Sequence, residues 1–567
     1  MKINRSGMVL ALLLAVILAG CKGSSSTTPV MGSANVSLTD GVGSDYDHVW
    51  VTVKAISFHT DPNQPWDGSA GWQTTTLAAP VTLDLTTLTN GALNKVFAGM
   101  SLPVGGYRQI RLFLAGFDDT LTASASTAGL TYNDQVDYTD AVSTVHHVPL
   151  EIAYPTQGIQ LNGSFDVAVT SVTLQPIPLN LAVDFDLEHD LVRFKHGTED
   201  HFTMKPNLRY FDLDQSGAIN GTVVTTNLCS TTVLPTCGYN VIVKAEILSA
   251  DGTRHHDIRS TTIDPITGNF SLYPLPSGTS YDVLIRGRNV ETMLVKGMTA
   301  PIGSTPASGV PAVLSTTAIP LTIDIVGEYF ANFSAPLAPT SGYALFQQTL
   351  PGIGEVPYEV RWENTDPFTG IPELPVALSN DPLQVASYNA GGALTFNPVT
   401  PQETSGGYSV ATNALPLAYY NLSSSTLVAS SGAPNIITSP LTFAPPTPTL
   451  SSSVVLGTVS GTITQTTHGN YDSGYLVVSR FANIVDTVNI STQLAANGGT
   501  YSVTLPAGGW LIPGTADYAN VPGAYYYAYL RVWNSANPLT TLKVIPIISI
   551  IDLRNVSTLT GINVTLP

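Results

Sequence analysis

The sequence predicts an all-β protein of several domains, and three observations predict it. Strand-like runs with apolar residues at alternate positions recur along the chain, whereas helix-period patterns are almost missing. Gly (48) and Pro (40) are abundant and charged residues make up only 11%, the balance of a β-rich chain with many turns. A hydrophobic share of 43% separates the chain from a disordered one, and its 567 residues exceed what one core usually serves.

The elements follow in order. Residues 1–20 read as a secretory signal, with Lys2 and Arg5, an apolar run from Met8 to Leu18, and small residues before Cys21. That run is too short to span a bilayer. Leu18-Ala19-Gly20-Cys21 resembles the lipobox of bacterial lipoproteins. The resemblance implies cleavage before Cys21 and a diacylglycerol on its sulfur, with further acyl chains giving stable anchoring. An ordinary signal peptide or a short membrane helix is the alternative. Residues 21–33 form a tether rich in Gly, Ser and Thr. Lys22 stands where an aspartate would mark inner-membrane retention, so likeness to lipoprotein sorting implies the outer membrane. The net charge of −18 becomes more negative once Lys2 and Arg5 are removed, which argues against a nucleic-acid partner.

Residues 34–214 form the first unit. Val49 to Val53 is a strand-like run, and Ile110, Leu112 and Leu114 alternate with Arg111 and Phe113. Asn90-Gly91, Asn162-Gly163, Asp251-Gly252 and Asn497-Gly498 supply the positive backbone angles of tight hairpins here and further on. The order Val36-Ser37-Leu38-Thr39-Asp40, Gly71-Trp72, Leu83-Asp84-Leu85, Gly105-Gly106-Tyr107-Arg108-Gln109-Ile110-Arg111-Leu112, Asp184-Phe185-Asp186 and Met204-Lys205-Pro206 resembles domain-of-unknown-function family 4382. That family occurs at the N-terminus of surface lipoproteins. The resemblance implies location and architecture, not chemistry.

Residues 216–327 come next. Val241, Val243, Ala245 and Ile247 alternate with Lys244 and Glu246, as in a half-buried strand. Gly217-Ala218-Ile219-Asn220-Gly221-Thr222-Val223, Gly268-Asn269-Phe270-Ser271-Leu272 and Leu275-Pro276-Ser277-Gly278 resemble the carboxypeptidase regulatory-like, transthyretin-like β-sandwich. The pattern recurs in residues 454–567, as Gly457-Thr458-Val459-Ser460-Gly461-Thr462-Ile463 and Gly499-Thr500-Tyr501-Ser502-Val503-Thr504-Leu505-Pro506. Residues 328–453 carry a fainter echo, Gly406-Gly407-Tyr408-Ser409-Val410, and end in the stiff Pro445-Pro446-Thr447-Pro448 linker. The resemblances imply a series of transthyretin-like or immunoglobulin-like sandwiches without a peptidase site. Val544 to Ile551, which contains Pro546, reads as a buried strand rather than a membrane helix.

Candidate sites are few. With Cys21 lipidated, Cys229 and Cys237 remain for a disulfide, since the address permits one and a second metal-binding pair is missing. Asp212, Asp214 and Ser216 with Gly217 resemble the start of a calcium loop, but Val223 stands where a bidentate Glu belongs, so an acidic hinge is the better reading. The pairs His146-His147 and His255-His256 offer one ligand per strand face and read as exposed loop histidines. Asp184 and Asp186 would share a strand face, either for acid–base chemistry or for bonding to Arg108 or Arg111. Nucleophile elbows and phosphate loops are missing from the sequence, which predicts neither catalysis nor a cofactor. Aromatics are the remaining lead. Trp66 and Trp72 flank a turn, and Tyr525, Tyr527 and Tyr529, with Trp510 nearby, form a candidate ligand surface for sugar rings or a protein. The expected function is a lipid-anchored surface protein, a non-catalytic binding, adhesion or scaffold module. Its partners would be the membrane, through the anchor, and a polysaccharide or envelope protein. A carbohydrate-binding protein using the sandwiches and an enzyme with residues in the first unit are the alternatives.

Overall fold

The computed structural model describes residues 29–567 apart from 42–45, 67–70, 206–207, 227–240, 307–311, 323–327, 380–381, 404–406, 416–419, 428–440, 452–453, 508–509, 512–519, 522–523 and single positions at 118, 141, 154, 172, 174 and 289. Cys21, Cys229 and Cys237 lie outside the described residues. The architecture is all-β, as the alternating runs predict, with only short helical turns between strands. None of the described helices is long and apolar enough to cross a membrane. Val544 to Ile551 lies in the strand Lys543–Asp552, with Ile547 and Ile551 buried.

The first unit is one twelve-stranded sheet. From one edge it runs through Leu191–His196, Glu199–Met204, Val145–Glu151, Gln135–Thr139, His48–His59 and Gly105–Leu114. It continues through Ile159–Val169, Pro176–Phe185 and Met31–Asp40 to Asn94–Pro103, and two strands pair off this path, Gln73–Asp84 with His48–His59 and Arg209–Asp212 with Pro176–Phe185. Residues from both halves, such as Leu38, Phe58, Leu112, Val183 and Phe202, share a single apolar core. The hairpin expectation fails at Asn162-Gly163, which lies inside the strand Ile159–Val169. Glycine is needed there for a different reason: the Tyr210 ring lies across it, and a Cβ would sit 1.9 Å from the ring. Asp251-Gly252 does turn a hairpin, between Ile242–Leu248 and His255–Thr262. Asn90-Gly91 adopts positive φ angles but serves as a docking turn, its backbone N–H donating to Thr261 Oγ1 at 2.8 Å. Asn497, also at positive φ, caps the short helix Ser491–Ala496.

The rest of the chain repeats one topology three times. Among the described residues, each copy has a sheet in which the first strand lies between an antiparallel fourth strand and parallel pairing at the end of the copy; it has three strands in the first two copies and four in the third. A four-stranded sheet faces it. In the first copy, Ser216–Thr222 lies between Asn269–Pro276 and Ala312–Val313. In the second, Glu328–Phe333 lies between Val376–Ser379 and Leu441–Phe443. In the third, Val455–Gln465 lies between Gly499–Ala507 and the pair Thr558–Leu559 and Val564–Leu566. The facing sheets also agree in order, as Tyr358–Asn364, Gly342–Gln348, Tyr408–Ala414 and Ser423–Leu427 show for the middle copy. The faint echo around Tyr408 thus lies on a strand of a sandwich with the same strand order as its neighbours. Residues 383–387 and 397–399 of the middle segment add two strands to the preceding copy's sheet, Leu383–Ser387 pairing in parallel with Val290–Thr299.

The copies are not beads on a string. The first unit makes buried polar contacts with all three, through Asp184 and Arg259, Lys205 and Asn364, and Glu151 and Arg531.

Candidate functional site

The densest chemistry in the described residues is a buried ionic junction where the first unit meets the first two sandwiches. The first unit contributes Asp184 from the end of Pro176–Phe185, Asp186 just beyond it, Glu188 and His189 from the helical turn Leu187–Asp190, and Arg209 from Arg209–Asp212. Lys244 and Glu246 come from Ile242–Leu248, Asp257 and Arg259 from His255–Thr262, and Glu359 from Tyr358–Asn364. Alternation set the faces of these strands; packing then decided that the charged faces go inside. Lys244 and Glu246 are fully buried, which corrects the half-buried reading of their strand. Buried charge is tolerable only when it is paired.

The pairing is extensive. His189 Nδ1 lies 2.6 Å from Asp186 Oδ2, and Nε2 lies 3.1 Å from Glu359 Oε1 and 3.6 Å from Asp257 Oδ1. Arg209 reaches Asp257 at 3.4 Å, Lys244 reaches Glu188 at 3.2 Å, and Arg286 reaches Glu188 at 2.6 Å. Arg259 bonds Asp184 and the Tyr273 carbonyl, and donates to Thr39 Oγ1 at 2.8 Å and the Asp40 carbonyl at 2.6 Å. Burial opposes the charge of Glu188, yet Arg286 and Lys244 beside it hold its carboxyl down to about 2. Burial lifts Asp184 to about 6 in spite of Arg259. Burial and the neighbouring Asp184 hold Asp40 well above the usual carboxylate range. His189 is held well above the ordinary histidine range, burial being outweighed by Asp186 and Asp257.

Asp186, His189 and Asp257 bring their ligand atoms within 4.8 Å of one another, a set a divalent ion accepts. Here both His189 nitrogens already face carboxylates, and Arg209 and Lys244 supply positive charge. The group is therefore read as an ion-pair network. Asp184 and Asp186 do approach the same junction, but their partners are Arg259, His189 and Arg209, not Arg108 or Arg111. Both are 1% exposed, so neither is open to a substrate.

A second junction joins the first unit to the last sandwich, and it overturns the aromatic-surface expectation. Tyr525, Tyr527 and Tyr529 share a face of Tyr525–Trp533 and Tyr526 takes the other, as alternation requires. That face is covered: the three are 0%, 4% and 4% exposed. Arg111 Nη2 donates to the Tyr525 hydroxyl at 3.2 Å, and the Trp66 backbone N–H donates to the Tyr527 hydroxyl at 3.0 Å. Trp66 and Trp72 pack against each other, with ring centroids 5.0 Å apart. Trp510 lies in the strand Trp510–Leu511, paired with Asn520–Val521. Next to the tyrosines, Arg531 grips Glu151 through two bonds of 2.9 and 3.1 Å, and His201 lies 2.8 Å from the same carboxylate. Burial opposes the Glu151 charge, but Arg531 prevails and holds it down to about 2.

His196 should make this second junction sensitive to acid. Its Nδ1 accepts from Arg531 Nη1 at 2.9 Å, and its Nε2–H donates to the Pro538 carbonyl at 3.1 Å. Burial, then Arg531, push the ring down to about 4. Unfolded histidine titrates near ~6.5. The stability gained from neutral His196 is thus complete above the unfolded value and is lost as pH falls towards the folded one. Urea midpoints should drop between about pH 6.5 and 4, and His196→Gln should flatten that part of the profile. An unchanged slope in the variant would assign the acid sensitivity elsewhere.

The remaining candidates resolve simply. Asp212 Oδ1 accepts from the Asp214 N–H at 3.0 Å, Ser216 Oγ donates to the Asp212 carbonyl at 2.6 Å, and Asp214 accepts from Asn180 at 3.1 Å. These bonds form a tight turn between the strand Arg209–Asp212 and the strand Ser216–Thr222. His146 and His147 lie on the strand Val145–Glu151, not in a loop, and pair with Asp140 and Asp137 at 2.9 and 2.7 Å. His255 and His256 also lie on a strand, and His255 stacks on Tyr358 with centroids 3.9 Å apart.

Comparison with known proteins agrees with the motif reading of the first unit. Residues 31–206 match the family described as Domain of unknown function (DUF4382). No curated protein matches the chain. Among solved structures, the Bacillus anthracis TIE protein is 12% identical, with 100% of this chain and 79% of that one covered, at a TM-score of 0.14. Two B repeat units of the collagen binding protein of Staphylococcus aureus are 8% identical over 89% of this chain and 93% of theirs, at 0.11. A streptococcal ancillary pilin is 9% identical over 61% and 98%, at 0.12.

Proposed function

We propose that this protein is a lipid-anchored, non-catalytic surface scaffold that presents a rigid, acidic assembly of β units to an envelope partner. One observation carries the reading: the charged and aromatic groups that would furnish an open site lie buried at the junctions, where they hold the units together. The acid–base alternative relied on Asp184 and Asp186, which are sealed in ion pairs. The sugar-binding alternative relied on Tyr525, Tyr527 and Tyr529, which are covered by the first unit. The lipobox at Cys21 supports the anchor, and the net charge of −18 suits an exposed, soluble surface. The disulfide between Cys229 and Cys237 belongs to the same proposal and suits an oxidising compartment.

The test combines anchor and partner. Wild-type protein should incorporate labelled fatty acid and stay with membranes after a carbonate wash, whereas Cys21→Ala should do neither. Surface crosslinking on intact cells should then capture a defined envelope protein with the wild type. Labelling of the Cys21→Ala protein would remove the anchor, and turnover of a glycan by the full chain would remove the non-catalytic role.

A further inference from the structure

Between the first unit and the middle sandwich lies a lysine in an unusual setting. Lys205 follows the strand Glu199–Met204 and is 7% exposed. Its Nζ lies 3.0 Å from Asn364 Oδ1 and 2.6 Å from the Gly342 carbonyl. Asn364, at the end of Tyr358–Asn364, is 6% exposed. Its amide is held in one orientation: Nδ2 donates to the carbonyls of His189 at 2.7 Å and Leu191 at 3.1 Å, and Oδ1 accepts from Trp362 Nε1 at 3.0 Å. Tyr343 and Trp362, stacked at 3.8 Å, wall off the pair, and the Lys205 Nζ lies 5.6 Å from the Tyr343 ring centre. Asp190, fully buried, is the carboxylate whose charge acts on Lys205.

We propose that Lys205 and Asn364 are the two halves of an intramolecular isopeptide bond that crosslinks the first unit to the middle sandwich. A buried amine beside an oriented amide has the parts that aminolysis needs: a desolvated nucleophile, a fixed electrophile and a donor on the oxygen that gains charge. Burial pulls the Lys205 amine down to about 7, so a large share is neutral near neutral pH. The neutral Nζ attacks Asn364 Cγ and forms the Nζ–Cγ bond. Charge gathers on Oδ1, where the Trp362 N–H already points. One Nζ proton passes to Nδ2, the Cγ–Nδ2 bond breaks, and ammonia leaves. Nothing is oxidised or reduced, and one secondary amide replaces a primary amide and an amine.

Intact mass spectrometry of the purified full-length protein, followed by peptide sequencing of its digest, tests this. The expected result is a mass lower by one ammonia and a branched peptide joining Lys205 to Asn364. Lys205→Met and Asn364→Ala should each restore the mass expected for their own sequence. Recovery of both residues from the wild type only in linear peptides overturns the proposal. The same holds if an ammonia loss maps to cyclisation at asparagine without Lys205. The deciding measurement is on the wild type, so poor folding of a variant does not obscure it.

Discussion

Arg259→Met should lower the free energy of the first unfolding transition by about 3–5 kcal/mol at pH 8, the range for leaving a buried charge without its partner, and by less at pH 5. Arg259 is fully buried and is shared between Asp184, Thr39, Asp40 and Tyr273, so its removal strips the first unit of a cation that the second supplies. The pH dependence follows from Asp184. Its folded value of about 6 lies above the unfolded one, so its contribution favours the fold at low pH and is lost as pH rises through the folded value. Arg259 is what keeps that value from rising further. Without it the carboxyl must carry a proton over a wider range, and the deficit grows from pH 5 to pH 8. Urea titrations of both proteins at the two pH values check this. Equal deficits would show that Arg259 acts through packing, not through Asp184.

Arg531→Met should cost a similar amount, about 3–5 kcal/mol, and should loosen the last sandwich from the first unit. Arg531 is 2% exposed and makes two bonds to Glu151, which burial would otherwise neutralise. With the guanidinium gone, Glu151 keeps its contact with His201. The Glu151→Gln, Arg531→Met double variant should recover part of the loss, because the orphaned charge is removed together with its partner. Thermal unfolding of the single and double variants measures the coupling, and faster proteolysis between the sandwiches would report the loosening. Additive losses would indicate that the pair contributes little as a pair.

Parts of this organisation were legible in the residues. The Gly105 to Leu112 segment and the Asp-Phe-Asp motif pointed to the family that matches residues 31–206. The repeated opening strands at Gly217 and Gly457 lie in sandwiches of the same strand order. Tyrosine alternation placed Tyr525, Tyr527 and Tyr529 on one side and Tyr526 on the other. The partners were not legible. Lys244 and Glu246 looked like an ordinary solvent face, His189 and Glu359 carried no motif, and the Met204-Lys205-Pro206 motif named no partner for Lys205. The one available signal was the scarcity of charge: with only 11% charged residues, those placed on strands beside long apolar runs were candidates for pairing.

By itself, the sequence determined the all-β class, the strand-by-strand division of side chains between two faces, and the repetition of one strand pattern. These depend on the period-two geometry of the extended backbone and on turn residues, which act over a few positions. Only the tertiary structure decided what covers each face. Asp184 meets Arg259, Glu151 meets Arg531, and Lys205 meets Asn364 across long stretches of chain. A polar face reads the same in sequence whether water or another unit lies against it. The choice is made by docking, where complementary charges and aromatic rings offset the cost of desolvation.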